Sequence, residues 1–138
     1  MPYRFLPDVA LADIAFEADS ASLNGLFESS ARALSEIMVD RKSLRPKVKK
    51  KVEIEAGDTD RLLYDFLTEL IVMKDVDSLL FKGFKVKVEG SSLSASLVGE
   101  KIDRDRHRLR NDVKAVTMHM FGVKQKAGRW RATVVLDI

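Results

Sequence analysis

The stretch "FKVKVEGSSLSASLVG", residues 84–99, decides the fold class because it predicts a β-hairpin. Apolar and polar residues alternate on both sides of Gly90-Ser91, and a glycine in a two-residue turn lets the backbone reverse. A second pair of runs, "VKAVTMHMFGVK" (113–124) and "WRATVVLDI" (130–138), flanks "KAGR" (126–129) and is interpreted in the same way. The chain therefore contains an antiparallel sheet.

Two segments outside these hairpins have helical periodicity. In residues 22–38, apolar side chains recur on one helical stripe after Ser22 or Ser20 as the N-cap. In residues 58–75 they recur at the same spacing after an Asp58 or Thr59 cap, with acidic residues in the first turn. Both segments are predicted to be amphipathic helices.

The remaining runs, near residues 14–18 and 48–56, alternate with the period of a strand. Strands together with two one-sided helices predict an α+β fold, a two-layer sandwich in which the helices cover a mostly antiparallel or mixed sheet. At 138 residues the chain is predicted to be a single domain over residues 1–138.

Composition excludes several classes of protein. With 46% apolar and 33% charged residues, the chain has enough apolar surface to offset the entropy of ordering, so it is not a disordered chain. It contains no cysteine, which excludes disulfides, thiol nucleophiles and thiolate zinc sites. No signal pattern or membrane-spanning run is present, and we expect a cytoplasmic protein with no membrane partner.

Two stretches are locally basic, "RKSLRPKVKKK" (41–51) and "DRDRHRLR" (103–110). Solvated surface loops are the ordinary interpretation of such stretches. Contact with phosphates is the alternative, because clustered cations release counterions from a nucleic acid. Neither stretch contains aromatic residues, so stacking on bases has little support.

The run 113–124 has apolar residues on both parities, which predicts a strand buried on both faces. Polar groups in such a strand need partners. Lys114, Thr117 and His119 are these groups. Simple alternation places Thr117 and His119 on one face and Lys114 on the other, unless a bulge intervenes.

The chain ends in two neighbouring anions, the Asp137 side chain and the α-carboxylate of Ile138. If the strand is docked in a sheet, a cation or a metal must relieve their repulsion. Oxygen ligands favour magnesium, calcium or manganese. Asp13, in "LADIAF" (11–16), is the candidate third ligand, although an acid at a strand edge is more often a capping residue and a penultimate one is more often solvated.

Signals for catalysis are weak. No G-x-S-x-G, phosphate-binding glycine loop or H-E-x-x-H occurs in the chain. Asp65 and Glu69 are spaced i, i+4 on the second helix and could form an acid/base pair, but a solvated helix face explains them as well. A lone histidine in a central strand, such as His119, is more often a hydrogen-bonded core residue than a base.

Four segments together resemble the archease family, and they occur in the family's order along almost the whole chain. These are the opening "YRFL" with "ADIAF", the helix "LLYDFLTELI" (62–71), the segment "GEKIDRDRHRLRNDVKAVTMH" (99–119) and the ending "WRATVVLDI". Archeases are small protein partners of the RtcB-type RNA ligase. The resemblance implies a two-layer α+β domain that is not itself an enzyme.

The resemblance also implies a function and a site. Archeases promote guanylylation and repeated turnover of the ligase in tRNA splicing and RNA repair, so tRNA is met through the ligase. The family's divalent metal site corresponds to Asp13, Asp137 and Ile138 with its terminal carboxylate. The functional lysine of its "KAVT" motif corresponds to Lys114, and His119 is a further candidate for ligase activation.

Three other functions compete with this hypothesis. A stand-alone RNA-binding module is favoured by the pI of about 9.2 and the two basic stretches. A general chaperone would protect unrelated proteins from aggregation. A hydrolase would use Asp65 and Glu69.

Overall fold

The computed structural model describes residues 2–6 and 13–138. These residues form two helices and eight strands in the order β-β-α-β-α followed by five strands, with a short 3₁₀ turn at Arg41–Ser43. The helices are α1 (Leu23–Met38) and α2 (Thr59–Asp77), and the strands are β1 (Tyr3–Phe5), β2 (Asp13–Ser20), β3 (Val48–Glu55), β4 (Leu79–Glu89), β5 (Ser92–Lys101), β6 (Ala115–Val116), β7 (Gly122–Lys126) and β8 (Arg129–Asp137).

Both predicted helices are present, and each begins at a side-chain cap. The Ser22 hydroxyl accepts a hydrogen bond from the Gly25 amide at 3.0 Å, and the Asp58 carboxylate accepts one from the Arg61 amide at 2.8 Å. Each bond satisfies an amide that the first helical turn leaves without a partner. The capping residues that the sequence indicated therefore fix where α1 and α2 start.

The described strands form two antiparallel sheets rather than the single sheet that we expected. The larger sheet has the order β1-β2-β8-β6, and β7 also pairs with β8; the smaller has the order β3-β5-β4. Both predicted hairpins are present, β4–β5 in the smaller sheet and β7–β8 in the larger. The α+β class is thus confirmed.

The core lies between the apolar faces of the helices and the inner faces of both sheets. Phe16 from β2, Phe27 from α1 and Phe66 from α2 are fully buried in it. The rings of Phe27 and Phe66 stack with centroids 6.2 Å apart, which joins the two helices directly. Burial of this apolar surface is the main favourable contribution to folding.

The predicted strand over 113–124 is broken, and the prediction that both its faces are buried was wrong. Ala115 pairs with Asp137 and Val116 with Leu136, but Gly122 pairs with Thr133. Residues 117–121 therefore lie opposite only two residues of β8, so three residues bulge out of the ladder. These are Met118, His119 and Met120, and all three are exposed.

Candidate functional site

The acidic pair of the site lies at one end of the larger sheet, where β2 and β8 are neighbours. Asp13 of β2 pairs directly with Asp137 of β8. The adjacent residues Ile14 and Leu136 pack in the core, so alternation along the strands places both carboxylates on the opposite, outer face. Residues directly opposite each other have Cβ atoms about 5 Å apart, and like charges in that position destabilise a sheet.

Other acids on this outer face have cationic partners. Glu17 forms ion pairs with Arg4 at 3.1 Å and Arg131 at 3.9 Å, and Asp19 forms one with Arg129 at 3.4 Å. Neither Asp13 nor Asp137 forms an ion pair within residues 2–6 and 13–138. The repulsion between these two carboxylates is therefore uncompensated in the described part of the chain.

Ile138 follows Asp137, and its side chain packs against the core. This packing holds Ile138 next to the end of β8. No group of three or more His, Cys, Asp or Glu side chains suited to a metal occurs in the described residues, so a site here would need an oxygen ligand other than a side chain. Two aspartates and the α-carboxylate of Ile138 fit a hard cation such as Ca²⁺, Mg²⁺ or Mn²⁺.

The backbone of Lys114 is hydrogen-bonded to one residue of this acidic pair. Its amide donates a hydrogen bond to the Asp137 carbonyl at 2.8 Å, and β6 begins at the next residue. The Lys114 side chain is exposed. The structure thus brings Asp13, Asp137, Ile138 and Lys114 to the same end of the larger sheet.

His119 is in the exposed bulge between β6 and β7, not in a central strand as we expected. The Thr117 amide bonds the Val135 carbonyl at 2.9 Å, and the bulge begins at the following residue. His119 forms no hydrogen bond or ion pair with the acidic pair among the described contacts. The Thr117 hydroxyl is buried and has no hydrogen-bond partner in residues 2–6 and 13–138.

A buried lysine that the sequence analysis missed holds the segment leading into Lys114. The Lys74 ammonium, on α2, lies 2.5 Å from the Asp112 carboxylate, 2.7 Å from that of Asp75 and 2.9 Å from the Val113 carbonyl. Burial lowers the pKa of Lys74, but the hydrogen bonds to the two aspartates outweigh burial and raise the pKa above its ordinary value. The available signal was that residue 74 continues the apolar stripe of the helix, four residues after Leu70.

A second cluster, also missed, anchors the loop after β5. The buried Glu100 carboxylate accepts hydrogen bonds from the Arg45 amide at 2.8 Å, from His107 at 2.8 Å and from Arg106. His107 accepts from the Asp103 amide through Nδ1, so its proton is on Nε2, which donates to Glu100. Burial raises the pKa of Glu100, but the hydrogen bonds from these groups outweigh it and lower the pKa from 4.5 to about 2.

In the basic stretch 103–110, two of the four arginines form ion pairs with glutamates of other segments. Arg106 pairs with Glu100, and Arg110 pairs with Glu36 at 2.9 Å. Lys49, Lys50 and Lys51 of the other stretch form no ion pair in the described residues. The two stretches therefore differ, because only the stretch 41–51 presents three consecutive lysines without an ion pair among the described residues.

One residue of the candidate acid/base pair on α2 already has an ion-pair partner. Asp65 forms an i, i+4 ion pair with Arg61 at 3.0 Å, which is typical of a helix surface. No hydrogen bond joins Asp65 to Glu69 among the described contacts. This geometry favours the surface interpretation of both carboxylates over a hydrolytic one.

Sequence comparison gives one consistent result. The model of the Archease protein family matches residues 3–138. A protein archease from Pyrococcus abyssi is 39% identical over 132 residues, covering 92% of this chain and 93% of that protein. One from Methanothermobacter thermautotrophicus is 37% identical over 131 residues, with the same coverage of each chain.

Structural comparison agrees. The solution structure of Methanobacterium thermoautotrophicum protein 1598 superposes with a TM-score of 0.87 at 35% identity and covers 99% of each chain. A crystal structure from Thermotoga maritima, described as an archease and possible chaperone, has a TM-score of 0.69 at 20% identity over 94% of this chain and 93% of that one. At that identity the second likeness supports the fold alone. Across residues 2–6 and 13–138, neither helix is long and apolar enough for a bilayer crossing.

Proposed function

The chain belongs to the archease family, and from this premise we propose that it is a non-catalytic protein cofactor of an RtcB-type RNA ligase. In this role it acts in the cytoplasm, promotes guanylylation of the ligase and sustains multiple turnover in tRNA splicing and RNA repair. Its effect on tRNA in this role is exerted through the ligase. The observation that carries the proposal is the cross-strand pair Asp13–Asp137, two carboxylates without a cationic partner among the described residues.

The cofactor that suits this pair is a divalent cation. Asp13, Asp137 and the α-carboxylate of Ile138 would hold it, because carboxylate oxygens are the preferred ligands of calcium, magnesium and manganese. When bound, such an ion stabilises negative charge on phosphate oxygens, which is what transfer of a nucleotidyl group demands. The chain's own contribution is to fix the ligands on two hydrogen-bonded strands.

Lys114 and His119 are the residues that we propose to act beside the acidic pair. Lys114 brings a positive charge to the same sheet end, where it partly offsets the carboxylates and attracts phosphate groups. His119 presents its ring in an exposed bulge, available to a partner surface. The edge of the larger sheet around these residues would therefore meet the ligase.

The test is to replace each aspartate with its amide. We expect Asp13→Asn and Asp137→Asn each to reduce stimulation of ligase guanylylation by about tenfold or more, since loss of a ligand oxygen weakens the site. A short glycine extension after Ile138 should do the same because it converts the α-carboxylate to an amide. Covalent labelling of the ligase by GTP measures stimulation, and calorimetric titration with Ca²⁺ or Mn²⁺ measures metal affinity.

Asp77→Asn is the matched control. Asp77 is exposed at the end of α2, forms no described ion pair, and loses the same charge in the variant. It should leave both stimulation and metal affinity unchanged. Full stimulation by Asp13→Asn and Asp137→Asn, with unchanged metal affinity, would show that the carboxylate pair does not activate the ligase.

A general chaperone is the second candidate, since the Thermotoga maritima structure is described as a possible chaperone. This activity would not depend on the carboxylate pair. It would appear as suppressed aggregation of an unrelated unfolding protein, equally by the parent chain and by Asp137→Asn. A ligase cofactor should not protect an unrelated protein at stoichiometric concentration.

A further inference from the structure

The outer face of the smaller sheet has a charge pattern that the proposed function does not use. Side chains of the central strand β5 alternate, with Leu93, Ala95 and Leu97 buried in the core and Ser94 and Ser96 exposed on the outer face. The strand register aligns this face in rows across β3, β5 and β4. The rows are Lys49-Val98-Gly83, Lys51-Ser96-Lys85, Glu53-Ser94-Lys87 and Glu55-Ser92-Glu89.

Charge changes sign along these rows. The charged residues of the first two rows are all lysines, the third row has one charge of each sign, and the fourth has two glutamates. Two adjacent concavities follow the division. One of ≈590 Å³ is lined by residues 49–51, 83–85 and 96–98, and one of ≈350 Å³ is lined mostly by the acidic rows.

The lysine-lined concavity, which we call the lysine groove, has the shape of a trough. Its centre is Ser96, a small side chain, and Lys51 and Lys85 rise on either side of it. Adjacent strands lie about 4.8 Å apart, so the two lysines stand on backbones roughly 10 Å apart. A phosphate in the trough would be reached by both ammonium groups and by the serine hydroxyl.

The lysines of the groove are not neutralised by other described residues. Lys49, Lys51 and Lys85 form no ion pair in residues 2–6 and 13–138, whereas Lys87 in the next row is paired with Glu89 at 3.0 Å. Lysines on both sides of one serine repel each other. An anion bound between them would convert this repulsion into attraction.

We propose that the lysine groove binds the phosphate backbone of RNA directly, independently of the ligase. Lysine ammonium groups and serine hydroxyls are common donors to nucleic-acid phosphates. The glutamate rows repel a polyanion, so the backbone would cross the strands rather than run along them. No aromatic side chain is exposed on this face, so binding would be independent of sequence, through phosphates and not through stacked bases.

RNA suits this face better than a membrane. The exposed large apolar residues of the described chain are Phe5, Val72, Val76, Leu109, Met118 and Met120, and none lies on the smaller sheet. A peripheral membrane surface combines basic residues with apolar ones that enter the bilayer. The lysine groove combines its lysines with the half-buried Val98 and with no exposed large apolar side chain.

The test measures binding of the isolated protein to a fluorescently labelled RNA hairpin, by anisotropy, between about 50 and about 200 mM salt. Three lysine contacts predict a slope of log affinity against log salt of about −2 to −3. Lys51→Glu/Lys85→Glu should weaken binding by about tenfold or more at the lowest salt and flatten the slope by about 1.5. All substituted positions are exposed, and circular dichroism verifies folding of each variant.

The control is Lys124→Glu/Lys126→Glu, which makes the same change of net charge on β7 of the larger sheet. It should weaken binding by less than about threefold, because these charges lie on the other sheet, outside the groove, and salt screens them. The absence of RNA binding at the lowest salt, or equal losses in the two variants, would overturn the proposal.

The proposal would also be overturned if a polyglutamate peptide or phosphatidylserine vesicles bound the groove more tightly than RNA, with the same dependence on Lys51 and Lys85. Because no ligase is present, these outcomes are separate from those for Asp13 and Asp137.

Discussion

At the scale of single residues, Lys74 connects α2 to the backbone of the candidate site. Its ammonium bonds Asp112 and the Val113 carbonyl, and the next residue, Lys114, bonds the Asp137 carbonyl. The hydrogen bond from Lys74 lowers the pKa of Asp112, so both partners are ionised at neutral pH. The lysine thus fixes the last residues of the loop before β6, whereas Asn111 is held to α1 by its own hydrogen bonds to the Ile37 carbonyl.

Lys74→Met should release this loop. The free energy of unfolding is expected to fall by about 1–3 kcal/mol, because charge-assisted hydrogen bonds are lost while the methionine keeps most of the packing. Hydrogen exchange at the Lys114 amide should accelerate, and urea denaturation gives the stability. Asp75→Asn is the control, since it removes the charge of one partner of Lys74 and leaves Asp112 and Val113 in place. Unchanged exchange at Lys114 in Lys74→Met would contradict this role.

The acidic pair shows how far single residues can be interpreted from sequence. Asp13 alone was indistinguishable from a capping residue, since its pairing with Asp137 joins positions at opposite ends of the chain. No local propensity encodes such a pairing, which forms only when the strands assemble around the core. The residues alone made Asp13 one candidate ligand among ordinary explanations, and the likeness to a known family strengthened that hypothesis.

At the scale of elements, the β4–β5 hairpin contains an irregularity that depends on one glycine. Phe81 pairs with Gly99 and Gly83 pairs with Val98, so Lys82 is an extra residue in β4. A Cβ atom on Gly99 would lie 2.7 Å from the Phe81 Cα and would clash with the Leu80 carbonyl. The bulge and the glycine therefore require each other.

Gly99→Ala is expected to destabilise the protein by about 1–3 kcal/mol, because the β4 backbone must move to admit the methyl group. Gly57→Ala is the control, since a Cβ there has no atom within 4 Å and the residue does not have a positive φ. That variant should be neutral or stabilising by about 0.4–1 kcal/mol, because alanine lowers the conformational entropy of the unfolded chain. Urea denaturation compares them, and equal stability of the two variants would exclude the steric argument.

Helices and hairpins were predictable from sequence because their signals are local. Caps, the 3.6-residue period and two-residue turns all act within a few positions. The segment 113–124 was misinterpreted because a bulge also places apolar residues on both parities. Met120 has a left-handed φ of 57°, which nothing in its side chain signals. The division of the strands into two sheets was likewise not encoded locally.

At the scale of the whole molecule, Glu100 joins three segments that are distant in sequence. The Arg45 amide comes from the segment before β3, Glu100 is in β5, and Arg106 and His107 are in the loop that follows. Because the cluster is buried, its carboxylate must remain ionised to accept all of these hydrogen bonds. Protonation of Glu100 should therefore lower the free energy of unfolding, because the hydrogen bonds that join all three segments are weakened together.

Acid titration tests this. The folded-state pKa of about 2 lies below the ordinary value of 4.5, so Glu100 stabilises the folded state fully above pH 4.5 and loses this contribution as pH falls toward 2. In Glu100→Gln, stability at neutral pH should be lower, and its decrease between pH 4.5 and 2 should be shallower. Denaturation by urea across this range measures both. Glu53→Gln, at an exposed residue, should keep the parent slope, and the same slope in Glu100→Gln would contradict the assignment.

The two methionines in the bulge between β6 and β7 can report, by their oxidation, whether this edge of the protein is covered. Met118 and Met120 are 56% and 54% exposed, whereas Met38 and Met73 are each 6% exposed. Peroxide oxidises accessible thioethers first, so mild treatment should convert the two bulge residues to sulfoxides and spare the two in the core. A protein that covers this edge would shield them, and the mass of the tryptic peptide containing both would record whether it does.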